Sequence, residues 1–129
     1  MKFMKMILFF VFVMFVVFVF GKVEAREVTV HFTAVADDGN IVSSGSADRY
    51  DFRYSESEIT EANFDAAIQL ITGAPKNPGE TETYTFTLPD GNKHFYFCLY
   101  VYDEANNRSD ISNLLEFDFF PPAAVQLQK

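Results

Sequence analysis

The chain has 129 residues, 49% of them apolar and 17% aromatic, with a formal charge of −8. Residues 1–25 distort those totals: they hold all four Met and 7 of the 16 Phe, and without them seven basic and 17 acidic residues leave a charge of −10 on a 104-residue body. A body of that size is one domain with one modest core. Its acidity argues against binding a phosphate backbone, and its single cysteine excludes an internal disulfide or a cysteine-rich zinc site. No GxxxxGK[ST] loop is present.

Residues 1–25 read as a secretory signal peptide. Met1-Lys2-Phe3-Met4-Lys5 is a short basic n-region, Met6–Phe20 is an unbroken apolar run of 15 residues, and Val23-Glu24-Ala25 resembles a cleavage site ahead of Arg26. A cut after Gly21 also fits. The alternative is a short membrane anchor, although a span needs about 20 apolar residues. Both readings put the body on the exoplasmic side.

From Val28 the pattern has a period of two. Val28, Val30, Phe32 and Ala34 alternate with polar residues, as do Tyr50, Phe52 and Tyr54, then Tyr84, Phe86 and Leu88, then Leu115, Phe117 and Phe119. Such alternation marks strands with one buried face. Turn signals separate the runs at Asp37-Asp38-Gly39-Asn40, Ser43–Ser46, Pro78-Gly79, Pro89–Asn92 and Asn106–Ser109. Ser55–Ala67 breaks the period. Ser55 and Glu58 have capping-box spacing, which predicts a turn or two of helix before a short strand near Ala67–Thr72. No helix is long enough to cross between parallel strands, so the expected fold is an antiparallel β-sandwich over 26–119, with a tail at 120–129.

His94–Tyr102 is apolar on both faces and therefore central in its sheet. Phe95, Phe97, Leu99 and Val101 suit the core. Tyr96, Cys98, Tyr100 and Tyr102 are then expected on the outer face, because a buried Tyr hydroxyl needs a partner.

Three segments carry a family resemblance: His31-Phe32-Thr33-Ala34 with Asp37-Asp38-Gly39; Ser46–Ser55 with Asn63–Ala67; and Tyr102–Asn106 with Ser109-Asp110-Ile111-Ser112-Asn113. In order and spacing they resemble the fibronectin type III-like domain near the C-terminus of calcium-activated chloride channel regulator proteins. The resemblance covers about residues 27 to 118. It implies a fibronectin type III-like sandwich that lacks its first strand, and an extracellular accessory or adhesion role. Phe32 stands where such a sandwich usually has Trp. The zinc-protease HExxH of the larger relatives is missing, and His31 and His94 are the only histidines. No protease chemistry transfers, and no catalytic residue, metal site or cofactor is expected. An edge strand at Val28–Val35 would need a cover: the tail, a second copy or a partner's strand.

Four features are candidates for function. The tyrosine stripe Tyr96, Tyr100 and Tyr102 is either a docking surface or ordinary cross-strand packing. Cys98 is either a small buried apolar residue or, facing outward, half of an intermolecular disulfide. Asn107-Arg108-Ser109 is an N-glycosylation sequon in a surface turn. Asp37-Asp38-Gly39-Asn40 reads as a solvated turn. It could hold calcium only with Asp103, Glu104 and Asp110, and only if those loops share one end of the sandwich.

The expected function is a secreted, non-catalytic interaction module whose partner is an extracellular or cell-surface protein. It could also form a homodimer through the edge strand or Cys98. No nucleic acid is expected, and membrane contact only if the leader is retained. The alternatives are a membrane-anchored accessory subunit of the same fold, or a fragment of a zinc-metalloprotease-type regulator whose catalytic part is absent.

Overall fold

A computed structural model describes residues 25–129; the proposed leader lies outside them, save for Ala25. The described chain is all-β. In order it forms β1 (Ala25–Thr33), β2 (Ala36–Asp38), β3 (Ile41–Ser46), β4 (Arg49–Ser55), a 3-10 turn (Phe64–Ala66), β5 (Ile68–Leu70), β6 (Thr81–Pro89), β7 (His94–Tyr102) and β8 (Leu115–Asp118). Every pairing is antiparallel. One sheet is β1–β6, β2–β3 is a separate hairpin, and the large sheet runs β5-β4-β7-β8.

The two main sheets pack face to face through the residues that the alternation selects. Val28 and Val30 of β1 and Phe86 and Leu88 of β6 meet Tyr50 and Phe52 of β4 and Phe95, Phe97 and Leu99 of β7. Phe32 takes a central place among the rings. It meets Tyr50 edge-on at 5.1 Å and stacks with Tyr84 at 6.1 Å. Phe52 bridges onward to Phe86 at 5.3 Å and Phe97 at 6.0 Å. Edge-to-face and offset pairs of this kind add about 0.5–1.5 kcal/mol each beyond the burial of their area.

Ser55–Ala67 does not form the predicted helix. Ser55 Oγ accepts the Ser57 N–H two residues on, which diverts the backbone from the capping box. Asn63 then ties the segment crosswise: its Oδ1 accepts the Thr60 N–H, and its Nδ2 donates to the Glu58 carbonyl. Asn and Ser side chains compete with helical hydrogen bonding in this way. Only the short 3-10 turn survives, and it delivers Phe64 to the sheet. The short strand expected after it is present as β5.

Among the described residues β1 pairs with β6 alone, so its other side carries no strand. The tail does not fill it: residues 120–129 are exposed along their whole length.

Candidate protein-interaction site

The outer face of β7 differs from the expectation at its centre. Cys98 is 2% exposed and Tyr100 1%. Ile59 and Phe64 cover them and form a second small core, with Ala67, Tyr96, Tyr102 and Ile111 packed around it. Phe64 meets the Tyr100 ring edge-on at 4.5 Å, and the Arg108 guanidinium lies over the same ring, 4.0 Å from its centroid. Arg53 fastens this cover. It grips Asp51 with two hydrogen bonds, at 2.8 and 3.2 Å, and donates to the Asp65 and Ala67 carbonyls. Alternation distinguishes the two faces of a strand but not what packs on each.

This burial changes two candidates. Burial, with Asp51 nearby, pushes the Cys98 thiol up to about 11, so it stays protonated and covered. A thiol without access or thiolate character is a poor disulfide partner; the outward orientation expected for an intermolecular disulfide is not what the structure has, and the burial fits the small apolar role. The tyrosine stripe is likewise broken. Tyr100 belongs to the interior, and Tyr96 and Tyr102 remain half-buried near opposite ends of the strand. Tyr96 stacks on His94, which packs against Phe120 at 4.7 Å. Tyr102 lies under Arg49, whose Nη2 donates to Asn106 Oδ1 at 2.6 Å.

Asn107 is exposed on the turn after β7. Asp103 closes that turn: its Oδ1 accepts the Ala105 and Asn107 N–H groups, and its Oδ2 accepts Asn107 Nδ2 at 2.7 Å. These bonds, the Asn107 side chain first, hold the Asp103 carboxyl below the usual range. The sequon hydroxyl is engaged as well. Ser109 Oγ accepts the Val101 N–H at 3.0 Å and donates to the Asp110 carbonyl.

The two acidic loops do share one end of the sandwich. Close approach of the Glu104 carboxyl first, then desolvation and the charges of Asp38 and Asp103, raise Asp37 to about 6, and its Oδ1 is buried without a hydrogen-bond partner. Crowded carboxylates repel one another, which favours the protonated form. Among the described residues, no three acidic, His or Cys side chains are arranged to hold a metal ion.

Two features lie outside the expectations drawn from the sequence. The first is an apolar groove of about 460 Å³ on the open side of β1. Val30, Phe32, Phe52, Phe97 and Leu99 line its interior, and Ser109, Asp110, Ser112 and Asn113 form the opposite rim. Sidedness created it: among the described residues β1 has one partner, while Ser109 and Ser112 follow β7 on the other sheet through backbone bonds to Val101 and Leu99. The second is Glu82, 1% exposed inside the sandwich. Its Oε2 accepts Tyr84 Oη at 2.8 Å and its Oε1 accepts the Lys76 N–H at 3.2 Å. The sequence did carry a signal for Glu82, which shares the inward parity of Tyr84, Phe86 and Leu88 on β6.

Compared with protein-family models, curated proteins and solved structures, the chain matches none.

Proposed function

We propose that the chain is a secreted, non-catalytic β-sandwich module that works through protein contacts, with the groove beside β1 as its contact site. The groove is the observation that carries this reading. It is an apolar recess with a polar rim, next to a strand edge without a partner among the described residues, and an added strand fits such a place through main-chain bonds and side-chain pockets. The fibronectin type III-like reading draws support from the pairing order, with β5-β4-β7-β8 opposed by β1–β6 and the place beside β1 open.

Secretion is supported by the basic start, the 15-residue apolar run and the position of β1. A cut after Ala25 removes the leader and leaves Arg26 onward paired with β6. Retention of Met6–Phe20 would instead anchor the same module to a membrane. The intact mass of protein recovered from culture medium separates the two. The secreted form lacks residues 1–25, or 1–21, and carries a glycan at Asn107; recovery only in membranes with Met1 retained overturns secretion.

The contact site is tested with a photoreactive residue at Val35, an exposed position on the groove. On illumination in medium or at the cell surface, a covalent protein adduct is expected at that position. Uniformly unlinked protein would sink the interaction reading.

A further inference from the structure

We propose that two copies of this chain exchange their C-terminal tails, each laying Ala123–Lys129 along the open side of the other's β1 and over its groove. The inference rests on the groove being a protein-contact site and names its occupant.

The tail has the character of a strand without a sheet. Val125 and Leu127 fall on one side of an extended chain, with Gln126 and Gln128 on the other. Val125 is 81% exposed and Leu127 92%, large apolar side chains left to solvent. Seven extended residues span about 23 Å, and the stretch that borders the groove, residues 30–35 at the end of β1 and just after it, needs about 20 Å. Charge fits as well. Residues 119–129 include no acid and one base, Lys129, while the body is strongly acidic and the groove rim carries Asp110.

The chain around the prolines directs the tail to a second copy rather than to its own. Phe119 sits at the start of β1, with the Arg26 guanidinium 3.9 Å over its ring. To reach its own groove, the chain would have to reverse within a few residues of that point. Phe120-Pro121-Pro122 opposes the reversal, because each residue before a proline is held extended and the prolines favour an open left-handed helix. A tail that leaves straight passes its own edge and reaches a neighbour's. Reciprocal exchange closes the pair and covers both edges.

The test uses protein secreted from the full coding sequence, wild type and Val125→Asp/Leu127→Asp. The substituted side chains are solvent-exposed, so the sandwich folds in both. Light scattering after size exclusion, over a dilution series, should give a dimer for the wild type and a monomer for the variant. A peptide of residues 119–129 added to the monomeric variant should slow hydrogen exchange at amides 28–33. A wild type that is monomeric throughout, a dimer that survives the double substitution, or β1 amides that the peptide leaves unprotected would each overturn tail exchange. The Val35 photoadduct keeps the two readings apart: an adduct with a different protein supports the contact site and defeats this occupant, whereas no adduct defeats the contact site itself.

Discussion

The Tyr84 hydroxyl donates a 2.8 Å hydrogen bond to Glu82, two residues back on the inward face of β6. The pair places a carboxylate inside an aromatic core. Desolvation, reinforced by the Glu82 bond and charge, pushes the Tyr84 phenol up to about 12. Tyr50, beside the same carboxylate, is pushed up chiefly by its own burial. The other Glu82 oxygen holds the Lys76 N–H and so ties the loop before β6 to the sandwich. Glu82→Ala leaves the Tyr84 hydroxyl and the Lys76 N–H without their acceptor and is expected to cost about 2–3 kcal/mol. Glu82→Gln keeps an acceptor oxygen and should cost less. Urea denaturation of the three proteins checks the order; an alanine variant as stable as wild type would show the carboxylate to be dispensable.

The raised carboxyl of Asp37 has a pH consequence with a definite sign. Its folded value is about 6 against an ordinary 3.8, so between those values the native state binds more protons than the unfolded one. Stability from this group therefore falls as pH rises from about 4 to about 6. Asp103, held below the usual range, acts oppositely and loses its contribution as pH falls. Asp37→Asn removes the repulsion with Glu104, Asp38 and Asp103. The variant should be more stable than wild type at pH 7 and nearly equal to it at pH 4. Urea midpoints at the two pH values decide, and an equal difference at both would rule out the titration.

Cys98 reports on the cover over β7. With the residue 2% exposed and its thiol pushed up to about 11, native protein should resist a thiol reagent that labels it promptly in denaturant. Rapid labelling of native protein would contradict the burial.

The strands were legible and the cover was not, for a physical reason. Val28, Val30, Phe52, Phe86, Leu88 and Phe97 are buried where period-two alternation places them, because a sheet face is a local property of the chain. What lies on the second face of β7 depends on 55–67, a segment with only Ile59 and Phe64 as large apolar residues. Its path is set by single hydrogen bonds from Ser55 and Asn63, and spacing alone does not encode them. The groove is less legible still, since it arises where β1 lacks a second neighbour among the described residues. Glu82 was within reach of the parity argument, but acids are usually assigned to solvent.

Arg53 connects these observations. Its paired bonds to Asp51 and its bonds to the carbonyls of Asp65 and Ala67 join the sheet to the covering segment, and its guanidinium lies 5.0 Å from the Phe64 ring. Lysine carries the charge but cannot form the planar two-point contact. Arg53→Lys should therefore loosen 55–67 while the main core of Phe52, Phe86 and Phe97 stays intact. Local opening of that kind raises exchange in one segment without global unfolding. The expected result is Cys98 labelling at least ten times faster than in wild type, with the urea midpoint lowered by no more than about 1 kcal/mol in equivalent stability. Phe64→Ala, which removes the cover's anchor, should accelerate labelling as well and cost about 3–5 kcal/mol. Labelling of Arg53→Lys that rises only in step with global unfolding would mean that the cover and the sandwich open together.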